Sequence, residues 1–327
     1  MTDLLKYSAL TLVLIGFELM YFKLAIRYQI IDRPNERSSH NSPTVRGAGI
    51  IFPFTILVWF AVEQMAPWFV LGTMLLAFIS FIDDLKTVPS GLRLIMHIVA
   101  MALLFYQLSL GLLMPIWIIA ILFVISVGIL SAFNFMDGIN GITGIYALVA
   151  LATFWFIHNQ QLAFTDTNLI VMLGLAVLIF LFFNFRQQAV CFAGDVGSIT
   201  LAFFLCFFLL QLITTTGNFN WIVLFAVYGI DSVITILFRI SRKENIFQPH
   251  RTHLFQYLSN EMNWSHQIVS VVYGGVQLLI NVLFIWYIQY KPWYATILFL
   301  LFSIGLYLII RINVIATLKD PTTLRTK

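Results

Sequence analysis

Long apolar runs, separated by short polar segments, fill most of this chain. Eleven of these runs approach the ~20 residues that a helix needs to cross the hydrocarbon core of a bilayer. Because their apolar residues are continuous rather than alternating, they favour membrane helices over the strands of a barrel. The predicted spans, the third of which is short, are 4–26, 47–65, 67–82, 92–109, 112–133, 139–157, 167–184, 196–215, 219–240, 266–289 and 293–311.

This pattern predicts an all-α polytopic membrane protein with about 11 transmembrane helices in a single domain, 1–327. The first run lacks a basic cluster and a small-residue cleavage site, so we expect it to remain as a helix. Composition supports this class, since 61% of residues are hydrophobic and 10% are charged, whereas soluble chains carry about 25% charged residues. A soluble enzyme, a disordered scaffold and a nucleic-acid binder are therefore disfavoured. Cys191 and Cys206 offer neither a disulfide framework nor metal-ligand spacing.

Charge distribution predicts the orientation of these spans. One set of alternate loops and helix ends holds most of the 18 Lys and Arg residues, whereas the opposite set holds only Lys6 and Lys291. The positive-inside rule makes the basic side cytoplasmic, with the N-terminus outside and the C-terminus inside. Tryptophans support this independently, because all except Trp264 lie near helix ends on the other side, as an interfacial belt would.

Polar motifs gather on the predicted cytoplasmic side. Ordinary roles as a loop, a helix cap or a topology signal explain each motif taken alone, but not the whole set on one face. The motifs are DRPNERSSH (32–40) with PTVRGAG (43–49), FIDDL (81–85), NFMDGINGITG (134–144), FAGDVGS (192–198) and HRTHL (250–254).

The first two motifs combine positive charge with paired acids. Arg46 precedes a helix start rich in small residues, an arrangement that suits an anion. The adjacent carboxylates of Asp83 and Asp84 repel each other and need a cation, a proton or a basic partner such as Lys86. Hard oxygen donors of this kind suit Mg²⁺ bound together with substrate phosphates.

The next two motifs add amides and further acids. Asn134, Asp137 and Asn140 recur at every third residue, which on a helix would align them along one stripe. A packing stripe explains the glycines between them but not the carboxylate and amides. Asp195 precedes a predicted helix between glycines, where an N-cap alone would also favour an Asp.

The last motif places two histidines around an arginine. His250, Arg251 and His253 could clamp a phosphate, and zinc is disfavoured because no complete ligand set is evident in the spacing. Asp231 falls inside a predicted span. An acid at that depth is a functional candidate, with pairing to a basic group of the bundle as the alternative.

Taken in order, the motifs resemble the polyprenyl-phosphate N-acetylhexosamine-1-phosphate transferases of glycosyltransferase family 4, over about residues 30–260. The resemblance implies transfer of a sugar-1-phosphate from a UDP-amino sugar to undecaprenyl phosphate, with release of UMP, at the cytoplasmic face of the cell inner membrane. It also implies a requirement for Mg²⁺, with Mn²⁺ as the alternative ion. Relatives of this kind often form homodimers, and no nucleic-acid partner is implied.

The resemblance also implies roles for individual residues. Asp83, Asp84 and Asp195 match the catalytic acids, and Asp195, Asp84 and Asp137 match the Mg²⁺ site. Because a lipid phosphate is already largely ionised at neutral pH, an electrostatic or metal role suits the Asp pair better than a base role. The implied substrate-binding residues are Asn134, Asp137, Arg46, Lys86, His250, Arg251 and His253.

Two departures from the family pattern favour one branch. Asn140 stands where many members have a second Asp, which puts a metal role at that position in doubt. HRTHL has fewer histidines than the motif of phospho-MurNAc-pentapeptide transferases, so the chain looks more like enzymes that initiate O-antigen or exopolysaccharide with GlcNAc, FucNAc or QuiNAc. The peptidoglycan enzyme, an ion-coupled transporter using Asp231 and Glu18, and a non-catalytic lipid-binding scaffold stay as alternatives.

Overall fold

Helices account for most of the chain in the computed structural model, which describes residues 3–34, 42–245 and 250–319. Residues 35–40 of the DRPNERSSH motif lie outside the described residues. Two short strands, β1 (Ile31–Asp32) and β2 (Thr44–Val45), pair antiparallel and close the first polar loop.

The helices run in chain order through one bundle. The α-helices are α1 (Asp3–Arg27), α2 (Ile51–Glu63), α3 (Pro67–Leu85), α4 (Ser90–Gln107), α5 (Leu110–Leu113), α6 (Ile116–Met136), α7 (Ile142–Gln160), α8 (Thr167–Asn184), α9 (Gly194–Thr216), α10 (Ala226–Ser241), α11 (Leu254–Gln256), α12 (His266–Leu283) and α13 (Trp293–Lys319). The 3₁₀ segments Ala48–Ile50 and Phe219–Phe225 precede α2 and α10, and the π-helical segments Tyr257–Glu261 and Phe284–Ile288 follow α11 and α12.

The prediction of an all-α polytopic membrane protein is confirmed. In the part of the chain that the structure describes, ten helical segments are long and apolar enough to cross a membrane, and each coincides with a predicted span. The remaining predicted span, 47–65, is a shorter apolar helical segment, Ala48–Glu63. The span expected to be short, 67–82, continues instead to Leu85, because Asp83 and Asp84 extend α3 and find partners there.

The centre of the bundle is α9, whose 18-residue apolar window is 94% buried. Its sequence is apolar on every face, which suits a helix surrounded by other helices. Phe203 and Phe207 stack on Phe69 of α3, with ring centroids 5.6 and 4.1 Å apart. Any displacement of α9 would therefore disturb several neighbouring helices, and its first turn carries Asp195.

Two glycines let the PTVRGAG segment approach the start of α9. A Cβ on Gly49 would lie 2.1 Å from the Cα of Gly197. Because this clash is with the backbone, no side-chain movement could relieve it. The same contact is held by backbone hydrogen bonds, from Ala48 N to the Phe192 carbonyl and from Gly49 N to the Ala193 carbonyl, both 3.0 Å. Small residues thus bring the first and fourth polar motifs together.

We expect Gly49→Ala to lower the free energy of unfolding by about 1–3 kcal/mol, because the added methyl group meets backbone rather than movable side chain. Thermal unfolding of the detergent-purified protein measures this as a lower melting temperature. Gly174→Ala in α8 is the matched control, since a Cβ there meets nothing within 4 Å. Equal melting temperatures for the two variants would contradict the close approach.

Candidate active site

The carboxylate of Asp84, at the end of α3, joins three of the motifs. Its Oδ1 accepts hydrogen bonds from Nε of Arg46 at 2.7 Å and from the backbone N–H of Asp195 at 2.9 Å. Its Oδ2 accepts from the N–H of Val196 at 3.0 Å, and the side chain is fully buried. Asp84 therefore sits at the positive end of α9 and fixes that helix against α3. Gly194 is required beside it, because a Cβ there would lie 2.5 Å from Oδ2.

Asp83 points away from Asp84 and contacts a different arginine. Its Oδ1 accepts from the N–H of Val88 at 2.6 Å, and its Oδ2 accepts from Nη1 of Arg93 at 2.7 Å. The same Nη1 lies 3.2 Å from Oδ2 of Asp195, whose Oδ1 is 3.8 Å from Nη2 of Arg46. The carboxyl groups of Asp83 and Asp195 therefore share Nη1 of Arg93 as a hydrogen-bond donor. Two facing carboxyl groups thus stand between two guanidinium groups.

Sequence reasoning missed Arg93 as a site residue. The available signal was its position three residues into α4, directly after the short connection from α3. Lys86, which was predicted to bind substrate, is exposed, and its side chain makes no hydrogen bond or ion pair with any described residue. The positive charge inside the cluster therefore comes from Arg46 and Arg93.

The third motif lies beside this cluster. Asn134 donates from Nδ2 to Oγ of Ser198 in the first turn of α9, at 3.4 Å. Burial, with a smaller contribution from the negative charge of Asp84, raises the pKa of the Asp137 carboxyl to about 6, whereas Thr143 and Arg46 oppose the shift. A cation close to Asp137 would favour its ionised form.

Asn140 has a structural role that an acid could not fill. Its Nδ2 donates to the carbonyls of Arg186 and Gln187, at 2.8 and 3.2 Å, and its own carbonyl accepts from Ser270 at 2.8 Å. A carboxylate in this position would face two acceptors without a proton to donate. The contacts agree with the doubt about a metal role here.

The histidine loop contacts the third motif through an aromatic ring. His250 and His253 have ring centroids 4.9 Å apart, and Phe135, next to Asn134 in the chain, lies 6.4 Å from the ring of His250. Burial, together with the neighbouring His253 and Arg239 side chains, lowers the pKa of His250 to about 4, and the acids Glu244 and Asp231 oppose the shift. Arg251 is half-buried in the same loop.

The donor set suits Mg²⁺ held mainly by substrate. Within residues 3–34, 42–245 and 250–319, no three His, Cys, Asp or Glu side chains form a ready cage. Mg²⁺ commonly uses one or two carboxylates together with water and phosphate oxygens, and the facing carboxyls of Asp83 and Asp195 supply two. Asp84 was the expected partner of Asp195, but its oxygens already accept three hydrogen bonds in a fully buried position. The geometry therefore favours Asp83 in that place.

Two cavities adjoin these motifs. One is apolar, has a volume of about 630 Å³, lies between α6, α10 and α13, and includes His250 and Phe135 in its lining. The other, of about 420 Å³, is polar and borders the third motif at Asn140. Side chains with amide, hydroxyl and imidazole groups that line it are Ser42, Thr44, Asn140, Gln187, Gln188, Ser265, His266 and Gln267.

Comparison with known proteins gives the same assignment as the motifs. The sequence model described as glycosyl transferase family 4 matches residues 66–213, which include the second, third and fourth motifs. The undecaprenyl-phosphate alpha-N-acetylglucosaminyl 1-phosphate transferase of Escherichia coli (strain K12) is 26% identical over 342 residues, covering 92% of this chain and 88% of that protein.

Other relatives include both named activities of this group. The Yersinia pestis protein with the same name is 27% identical over 79% of this chain and 77% of its own length. The phospho-N-acetylmuramoyl-pentapeptide-transferase of Thermotoga neapolitana is 25% identical over 73% of this chain and 82% of its own length. The matched motifs, the helical bundle and these relatives agree: the chain is a polytopic membrane protein that is similar to the transferases of glycosyl transferase family 4.

Proposed function

We propose that this protein transfers an N-acetylhexosamine-1-phosphate from a UDP-sugar to undecaprenyl phosphate and releases UMP. The observation that carries the proposal is the pair of facing carboxyl groups, Asp83 and Asp195, held between Arg46 and Arg93. Phosphoryl transfer depends on positioning and on neutralising phosphate charge, which are the tasks that such groups perform. The relatives in Escherichia coli and Yersinia pestis carry names that specify the same acceptor and a GlcNAc-1-phosphate group.

The reaction needs no strong base. An ionised oxygen of the lipid phosphate attacks the sugar-bearing phosphorus, the bond between the two donor phosphates breaks, and UMP leaves with the electron pair. Since the attacking oxygen already carries negative charge, the carboxylates would serve to hold positive charge rather than remove a proton. Asp84 would act through position, because it anchors the first turn of α9 that presents Asp195.

Asp195 and Asp83 would hold Mg²⁺, with Asp137 close by and Mn²⁺ as the alternative ion. The three acids Asp83, Asp84 and Asp195 outnumber the two guanidinium groups around them, so the cluster by itself would repel phosphate. Bound Mg²⁺ supplies the positive charge that makes this end of the bundle attractive to two anionic substrates.

The surrounding residues would separate the two substrates. His250, Arg251 and His253 would bind the donor's diphosphate, and Asn134 would orient it near Asp195. The apolar cavity that borders His250 would take part of the acceptor's hydrocarbon chain. The polar cavity at Asn140 suits uncharged hydrogen-bonding groups of the donor, and the exposed Lys86 would attract the incoming anion.

Within the family, we favour initiation of O-antigen or exopolysaccharide over the peptidoglycan step. The support is the histidine loop, which has two histidines in HRTHL rather than a richer cluster. The donor would then be a UDP-activated GlcNAc, FucNAc or QuiNAc. The relative in Thermotoga neapolitana makes the peptidoglycan donor a necessary member of any substrate panel.

A UMP-release assay tests the reaction and identifies the donor. Purified protein, undecaprenyl phosphate and Mg²⁺ are incubated with UDP-GlcNAc, UDP-FucNAc, UDP-QuiNAc or UDP-MurNAc-pentapeptide. We expect UMP from one of the first three donors, loss of release with EDTA, and restoration by added Mg²⁺ or Mn²⁺. Release from the pentapeptide donor alone would move the protein to the peptidoglycan branch, and no release from any donor would reject the proposed reaction.

We expect Asp195→Asn to reduce UMP release by about 10²–10³-fold, because the Mg²⁺ that would neutralise the reacting phosphates loses a carboxylate ligand. The protein should still insert and purify, since the backbone N–H groups that hold Asp84 are unchanged. Glu63→Gln is the matched control: Glu63 lies at the end of α2, at the opposite end of the bundle, and an amide oxygen can still accept from Lys6 Nζ and Asn168 Nδ2. Near-normal activity of Asp195→Asn would reduce this residue to a helix-capping role.

We further propose that the candidate site faces the cytoplasm from the inner membrane, with the N-terminus outside. The support is the excess of Lys and Arg on the side of the five motifs. A cysteine replacing the exposed Thr87, beside Asp83, should react with an impermeant maleimide only in inverted vesicles. A cysteine replacing the exposed Thr215, at the far end of α9, should react only in spheroplasts.

The native cysteines do not interfere with this labelling, because Cys191 and Cys206 are both buried. The unsubstituted protein in each preparation therefore supplies the background. The opposite pattern, with Thr87→Cys reacting in intact spheroplasts, would reverse the proposed orientation.

A further inference from the structure

Asp231, on α10, is a fully buried acid in a membrane-spanning segment. Hydrogen bonds converge on its carboxylate from α10, α12, α13 and the histidine loop. The donors are Tyr273 Oη (2.7 Å), Tyr307 Oη (2.9 Å), His253 Nδ1 (3.1 Å), Thr235 Oγ1 (3.2 Å) and Leu254 N (3.3 Å). A carboxylate at this depth is costly unless such donors surround it, so the arrangement indicates a selected position rather than an incidental one.

The hydrogen bond from His253 fixes which ring nitrogen stays available. An ionised carboxylate can only accept, so Nδ1 of His253 carries the proton that Asp231 binds. The other nitrogen, Nε2, is buried and makes no hydrogen bond to any described residue. A buried polar atom without a partner is costly, and an oxygen of a bound anion would satisfy it once the ring carries a second proton.

The surroundings of His253 restrict its ring to this orientation. The side chain is 2% exposed, and the ring stacks on Phe255 with centroids 5.8 Å apart. The rings of His250 and Phe135 lie on other sides, at 4.9 and 6.5 Å. Nε2 is therefore enclosed within the histidine loop, next to the third motif.

The last helix fixes the same loop by its backbone. Nη2 of Arg311 donates to the carbonyl of Thr252, one residue before His253, at 2.7 Å. Nη1 of Arg311 donates to Tyr307 Oη and to Thr235 Oγ1, both at 2.7 Å, and lies 3.8 Å from Oδ1 of Asp231. Arg311 thus balances the buried charge of the carboxylate while holding the peptide that leads into His253.

From this geometry we propose that Asp231 is a positioning residue: it holds the His253 ring so that Nε2 donates to a phosphate oxygen of the nucleotide-sugar donor. The inference rests on the proposed function for the identity of the anion. Asp231 would contact no substrate itself, and its effect would pass through His253 alone. Carboxylates that orient a metal-ligating histidine contribute 10- to 100-fold to affinity or activity, and we expect an effect of the same order for an anion-binding histidine.

A double-mutant cycle distinguishes positioning from a general structural role. UMP release is measured for Asp231→Asn, His253→Ala and the double variant, each at several donor concentrations. We expect Asp231→Asn to lower kcat/KM for the donor by about 10- to 100-fold. The double variant should match His253→Ala, because Asp231 has nothing left to position once the imidazole is gone.

Affinity for UDP, measured by calorimetry, supplies a readout that does not require turnover. We expect Asp231→Asn and His253→Ala to weaken UDP binding by similar factors. Asn281→Ala is the matched control: Asn281 is a buried membrane-segment amide whose hydrogen bonds go to Thr153 and Gln277. It should lower the melting temperature while leaving the affinity for UDP at the wild-type value.

The outcomes separate this inference from the proposed function. One contrary result is a double variant whose kcat/KM lies below that of His253→Ala by the full factor that Asp231→Asn loses alone, while Asp231→Asn binds UDP with wild-type affinity. That result would overturn the positioning role of Asp231 and leave the proposed reaction intact. If the wild type releases no UMP from any donor, the proposed reaction fails and the UDP affinities decide the inference. Equal affinities in all variants then reject it, and a matched loss in Asp231→Asn and His253→Ala supports it.

Discussion

A buried carboxylate at the start of a buried helix underlies the arrangement of this protein. Asp84 has no exposed side-chain surface, and its charge is compensated by two backbone N–H groups of α9 and by Arg46. Removing it from water is costly, and hydrogen bonds from ionised or aligned donors offset that cost. Since α9 is also the most buried of the described spans, one interaction connects the core of the bundle to the polar end. Asp195 points into the site because its own N–H is fixed by Asp84.

Adjacent positions on α3 therefore serve different purposes. Successive residues of a helix point about 100° apart, so Asp83 and Asp84 cannot face the same group. One acid is enclosed and holds α9, whereas the other, with Arg93, faces Asp195 across the site. The motif FIDDL thus combines a structural anchor with a group that can meet a ligand. The repulsion inferred from the sequence is relieved by this divergence as well as by two separate arginines.

Hydropathy was sufficient to predict the class and ten of the eleven spans, because a membrane helix must be apolar over a fixed length. It could not predict that α9 is central, since lipid and protein interiors favour the same side chains. The motifs indicated Asp195, Asn134 and Asp137, because the residues next to them in the sequence already distinguish them from ordinary loop residues. Arg93 was missed because its role depends on the angle between α3 and α4. The pairing of Asp231 with His253 could not be predicted either, because the two residues are 22 positions apart and the sequence does not show how the chain between them folds.

The two intramembrane acids that suggested a transporter lie in different environments. The carboxylate of Asp231 is surrounded by donors from four parts of the chain, so it has no capacity left to bind and release an ion during a transport cycle. Glu18 on α1 is also buried, but neither of its oxygens has a hydrogen-bonding partner among the described residues. A relay would require neighbouring groups to pass a proton onward, and none of the contacts of Asp231 leads to Glu18. The polar chemistry instead converges on one end of the bundle, where the proposed reaction requires a water-soluble donor and a membrane-bound acceptor to meet.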